Sequence, residues 1–214
     1  MLDEIKTVIR DHWNQRAAAY DASAHHTIEM ETERAEWASL LLAAMGHQVT
    51  GADIAEDMLA QARAKAAARS LTATFLIGDA EAHPFPDASF DVVVNRHLLW
   101  TRPDPERALF EWTRVLAPGG KMVIIDGDFH CAAKTSSADE RASPSMDAYR
   151  AAGIADRLPL QASPRPQADL QMPAALGLTA EVRIIGSDGE FFVDLPFGAR
   201  QDHCRFALFG EKPL

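Results

Sequence analysis

HQVTGADIAEDMLAQARAKAAARSLTATFLIGDA, residues 47–80, decides the fold. It opens on a short run from His47 to Ile54 that contains Gly51-Ala52-Asp53, and Glu56 to Arg69 follows as a helical segment with Met58, Leu59, Ala62 and Ala66 among its apolar positions. Thr72 to Ile77 is a second run of β-branched and apolar residues, closed by Gly78-Asp79. The period passes from strand to helix and back to strand, which is the pattern of a βαβ unit.

The same alternation extends outward. Upstream, residues 2–20 place Ile5, Val8, Ile9, His12 and Trp13 at i, i+3, i+4 spacing, which predicts an amphipathic helix, and Glu29 to Met45 reads helical up to Gly46, a residue suited to a left-handed cap. Downstream, Phe90 to Val94 is a third strand. Asp104-Pro105 then serves as helix N-cap and N1, with Leu109, Trp112 and Leu116 on one face. Gly119-Gly120 leads into a fourth strand, Lys121 to Ile125, ended by Asp126 and Asp128. Glu181 to Ile185 and Cys204 to Phe209 read as two more strands, the last an antiparallel edge. Short strands alternating with longer helices predict an α/β fold with a mostly parallel sheet, and ligands in such folds lie at the carboxyl ends of strands. Ala132 to Ser145 and the proline-rich stretch Pro159 to Pro173 are expected to form a mobile insertion rather than core.

Composition narrows the function. Twenty-one Lys and Arg against 31 Asp and Glu leave a formal charge of −10, which gives nucleic-acid binding no global electrostatic support and favours small-molecule or protein partners. Cys131 and Cys204 are too few for a disulfide framework, and no zinc-like spacing occurs, so a reducing, cytoplasmic setting fits. The adjacent pairs His25-His26, His130-Cys131 and His203-Cys204 lack the i, i+3 or i+4 partners of a metal site. Met1 to Arg10 carries charges unlike a secretory leader. The most apolar stretch, Trp37 to Gly46, is about half of the ~20 residues that cross a bilayer.

The candidate site residues sit at strand ends. Asp53 is placed to accept hydrogen bonds from ribose hydroxyls, or else to cap the helix that follows. Asp79-Ala80 is placed to meet an adenine, or else forms a turn after Gly78. Asn95, Arg96 and His97 close the third strand, where His97 is a candidate general base or a satisfied core histidine. Trp13, Arg16 and Tyr20, spaced three and four apart, share a helical face, either toward a ligand or in ordinary packing.

Taken in order, WNQRAAAYD (13–21), GHQVTGADIAEDMLAQARAKA (46–66), GDAEAHPFPDASFDVVVNRHLLW (78–100) and RVLAPGGKMVIIDGDF (114–129) resemble the class I S-adenosylmethionine-dependent methyltransferases that act on small molecules. The resemblance covers roughly residues 10–130. It implies a Rossmann-like, seven-stranded sheet with S-adenosylmethionine as cofactor. Its ribose would lie on Asp53 beside Ile54, its adenine near Asp79 and Ala80, and its methionine end near Asn95 to His97. An amino-terminal helix would fold over the site with Arg16 and Tyr20, and His97 and Asp128 are candidates for a base.

The chain departs from that family in one respect. The first strand and a glycine-rich turn of the form D-x-G-x-G-x-G should precede LLLAAMGHQVTG, and here Glu31 to Leu40 runs directly into it, about 20 to 30 residues short. Glycine at φ > 0 is what lets backbone approach a cofactor closely, so cofactor affinity is expected to fall, and a rebuilt sheet or a swapped homodimer would be needed to repair the lost strand. The expected organisation is one domain, with residues 1–45 as helices and lid, 46–130 as cofactor core, 131–175 as a variable substrate-side insertion and 176–214 as terminal strands. Two functions follow: a methyltransferase acting on a small molecule, or a catalytically inactive relative serving as a binding or scaffold module. An NAD-dependent oxidoreductase would need its own G-x-G-x-x-G turn.

Overall fold

A computed structural model of the chain describes residues 2–22, 43, 45–128, 144–185, 191–192 and 205–214. Outside these residues lie the histidine and cysteine pairs at 25–26, 130–131 and 203–204, most of the helix expected over 29–45, and most of the stretch 132–145. The chain divides into two compact units, Met1–His83 and Pro84–Leu214.

In the first unit, α1 (Leu2–Arg16) buries Ile5 and Ile9, one turn apart. The chain then tightens into a 3-10 turn, Ala17–Ala22, so the backbone at Tyr20 lies beyond α1, which carries Trp13 and Arg16. Strand β1 (Thr50–Asp53) and strand β2 (Thr74–Ile77) pair in parallel, Thr50 opposite Thr74 and Asp53 opposite Ile77. Between them α2 (Glu56–Ala68) turns Leu59, Ala62 and Ala66 inward, and Glu56 and Asp57 stand in its first turn where the helix dipole favours negative charge. Asn14 of α1 accepts a hydrogen bond from the Asp57 amide at 3.0 Å, supplying from another helix the cap that Ala55 lacks. Gly46 has φ +86°, in the left-handed region.

In the second unit, β3 (Phe90–Arg96) and β4 (Leu116–Gly127) pair in parallel around α3 (Pro105–Val115). The expected cap is present: Asp104 accepts from the Arg107 amide at 2.9 Å and Pro105 opens the helix, whose Leu109 and Trp112 are buried, as is Leu116 just beyond it. The five-stranded sheet runs β3-β4-β7-β5-β6, with β5 (Thr179–Ile185), β6 (Phe191–Phe192) and β7 (Arg205–Glu211) antiparallel to their neighbours. The antiparallel strand expected over 204–209 lies inside this sheet, between β4 and β5. The architecture is the expected α/β class, its strands distributed between a two-stranded and a five-stranded sheet.

The segment expected to be a mobile insertion is, over residues 144–175, part of the core. Helices α4 (Pro144–Ala151) and α5 (Gln167–Ala175) and two short 3-10 turns bury Met146, Tyr149, Ile154, Leu158 and Leu160. Prolines interrupt regular hydrogen bonding, but they do not prevent apolar side chains between them from packing.

The Pro118-Gly119-Gly120 turn needs both glycines. Gly119 has φ +74°, and a Cβ on Gly120 would sit 2.7 Å from the Ala117 carbonyl oxygen and 3.1 Å from that of Asp91. Both obstacles are backbone. Gly120→Ala is expected to destabilise the second unit by about 1–3 kcal/mol in urea denaturation, where a surface substitution stays within about 0.5 kcal/mol.

Candidate active site

The carboxyl edge of the two-stranded sheet carries two aspartates in the same local geometry. Asp53, the last residue of β1, accepts the Ala55 amide on Oδ1 at 2.8 Å, and its carbonyl accepts from Gly78 at 3.0 Å. It therefore forms a turn one step before the helix; the N-cap position itself falls on Ala55. Asp79, two residues beyond β2, accepts the Glu81 amide on Oδ1 at 2.9 Å and the Lys6 ammonium on Oδ2 at 2.7 Å. Both are Asx turns, in which one carboxylate oxygen accepts the backbone amide two residues on. Ile54, next to Asp53, is half-buried, and Ala80, next to Asp79, is buried. Arg16 ends α1, and its Nε is buried without a hydrogen-bond partner among the described residues. Tyr20 stands in the 3-10 turn.

In the second unit, Asn95 lies near the carboxyl end of β3 with both its amide nitrogen and oxygen buried and without hydrogen-bond partners among the described residues. Leaving such a group unmet costs about 1–3 kcal/mol. His97 follows β3 with φ +51° while its amide donates to the Ile125 carbonyl at 2.8 Å, so hydrogen bonding to β4 accompanies the left-handed backbone. Asp128 follows β4 directly and is half-buried.

Sequence reasoning noticed Asp126 at the end of β4 but missed its role. The residue is fully buried, accepts the Arg165 guanidinium on Oδ2 at 2.9 Å and the Trp100 amide at 3.2 Å, and takes the Gly127 amide on Oδ1. Arg165, also buried, donates Nη1 to the Gly127 carbonyl at 2.9 Å and engages Asp169 of α5 through Nε and Nη2. Burial raises the Asp126 carboxyl above the ordinary carboxylate range, with Arg165 pulling the other way. Arg165 is held protonated more firmly than usual: burial works against its charge, and the two carboxylates outweigh it. One guanidinium thus ties the end of β4 to the segment expected to be an insertion.

Residues 35–124 match the methyltransferase domain family. Among solved structures, a protein from Pyrococcus horikoshii OT3 superposes with a TM-score of 0.57 at 19% identity, covering 92% of this chain and 99% of its own. A S-adenosylmethionine-dependent methyltransferase from Methanosarcina mazei gives 0.52 at 20% identity, covering 82% and 87%. These likenesses, at 19–20% identity, establish the fold.

Among named relatives, the demethylmenaquinone methyltransferase of Thermus thermophilus is 42% identical over 117 residues, 53% of either chain. That of Deinococcus radiodurans is 35% identical over 130 residues, 59% of this chain and 54% of its own. The chain spans about half the length of the curated relatives it matches. No helix among the described residues is long and apolar enough to cross a membrane.

Proposed function

We propose that the chain is a methyltransferase that binds S-adenosylmethionine and methylates a small organic acceptor. The observation that carries this reading is the pair of Asx-turned carboxylates, Asp53 and Asp79, at one edge of a parallel strand pair inside the span matched by the methyltransferase family. When bound, the cofactor supplies an electrophilic methyl group on a sulfonium.

The chain's own residues then have separable tasks. Asp53 accepts the ribose hydroxyls, beside Ile54. Asp79 and the Ala80 amide meet the adenine, and Arg16 and Tyr20 contribute from the amino-terminal helix and turn. Asn95 offers an unmet buried donor and acceptor, which fits the amino and carboxylate groups of the methionine end. His97 or Asp128 takes the acceptor's proton. Catalysis of this type is mostly orientation and exclusion of water, so few chemical groups are required.

We also infer that the family's first strand and glycine-rich turn are lacking, which is supported by the strands falling into two sheets among the described residues, β1–β2 and β3 onward. Cofactor affinity is then weaker than the family's full cradle would give. The alternative of an inactive binding module, in which a homodimer completes the fold, rests on the same observation.

Label transfer decides between them. With radiolabelled S-adenosylmethionine and demethylmenaquinone as the first acceptor, supplied with and without reductant, the enzyme reading expects label in the extracted product. Binding of S-adenosylhomocysteine with no transfer to any quinone, phenol or amine acceptor supports the inactive module instead.

A further inference from the structure

Helix α1 brings one charged side chain to the expected adenine end. Lys6 follows the buried Ile5, and its Nζ lies 2.7 Å from Asp79 Oδ2 and 2.6 Å from Glu81 Oε2. Its side chain is 15% exposed, that of Asp79 27% and that of Glu81 3%, so the ammonium is half-buried between a buried carboxylate and a partly open one. Asp79 therefore has a donor on each oxygen: the Glu81 amide on Oδ1 and the ammonium on Oδ2. A carboxylate held at both oxygens cannot rotate, and each oxygen accepts up to two hydrogen bonds.

A carboxylate accepts hydrogen bonds and donates none, so Asp79 favours a ligand group that donates, such as an exocyclic amino group, over one that presents a carbonyl oxygen. The ammonium remains protonated, because its hydrogen bonds to Asp79 and Glu81 outweigh the opposing effect of burial.

We propose that Lys6 is a positioning residue for cofactor recognition: it fixes the plane of the Asp79 carboxylate so that this group reads the amino group of the adenine. The proposal rests on the reading of Asp79 as the adenine partner. It also gives α1 a defined role, since the helix that carries Lys6 supplies part of the specificity of the site.

The test compares two ligands by calorimetry, S-adenosylhomocysteine and S-inosylhomocysteine, in which an oxo group replaces the amino group. The wild-type chain should prefer the adenine form by roughly 10- to 100-fold, the discrimination expected of one well-placed hydrogen bond with a charged group. Lys6→Met should bring the two affinities within about threefold, and Lys6→Arg should restore most of the preference. Because Lys6→Met strands the buried Glu81, the double variant Lys6→Met/Glu81→Gln is measured beside it and should behave alike. A preference unchanged in both variants makes Lys6 merely structural and overturns the proposal while leaving cofactor binding intact. Equal affinities in the wild-type chain overturn it as well. Failure of the wild-type chain to bind either ligand overturns the adenosyl reading together with it.

Discussion

Arg165→Met is expected to destabilise the second unit by about 3–5 kcal/mol, the usual cost of removing one partner from a buried ion pair. In a chain of this length that corresponds to a midpoint lower by roughly 6–20 °C. The reason is charge balance. Asp126 and Asp169 are both completely buried and share the one guanidinium, which also satisfies the Gly127 carbonyl and lies 5.3 Å from the centre of the Phe206 ring. Methionine fills similar volume but leaves two buried carboxylates without their counter-charge and removes the guanidinium donor to the Gly127 carbonyl. Urea denaturation followed by near-ultraviolet circular dichroism measures the loss. Asp126→Asn/Asp169→Asn in the Arg165→Met background should recover part of it, since no buried negative charge then remains. A variant as stable as the wild-type chain would mean that the cluster is solvated and ties nothing together.

Asp53→Ala is expected to weaken S-adenosylhomocysteine binding by about 10- to 150-fold, the equivalent of roughly 1.5–3 kcal/mol for hydrogen bonds to an ionised carboxylate. The substitution also removes the acceptor for the Ala55 amide and costs about 1 kcal/mol in the turn before α2. Asp53→Asn separates the two effects. Its side-chain oxygen keeps the Asx turn, so stability holds, while the charge and one acceptor oxygen are lost and affinity still falls about tenfold or more. Calorimetry in which both variants bind as the wild-type chain does would leave Asp53 a purely local turn residue.

Much of the fold was legible because local signals agreed with one another. Asp104-Pro105 caps α3 where the pair promised, Gly46 takes a left-handed conformation, and the run 50–77 folds as strand, helix and strand. The aspartates at the strand ends were legible for the same reason, since strand termini follow from periodicity. What escaped depends on contacts distant in sequence. Arg165 lies 39 residues from Asp126 within a stretch whose prolines read as loop, and nothing in that stretch announces a buried partner. Lys6 is 73 residues from Asp79 and looks like one more surface charge on an amphipathic helix. The break after Arg16 was also hidden, because three alanines at 17–19 favour continuation of the helix by propensity alone.

The most direct test of the adenosyl assignment follows the two turns at once. In the ¹⁵N-labelled chain titrated with S-adenosylhomocysteine, the amides of Ala55 and Glu81, the donors to Asp53 and Asp79, should shift together and saturate with one common affinity. Resonances at both positions that stay fixed up to millimolar ligand would contradict it.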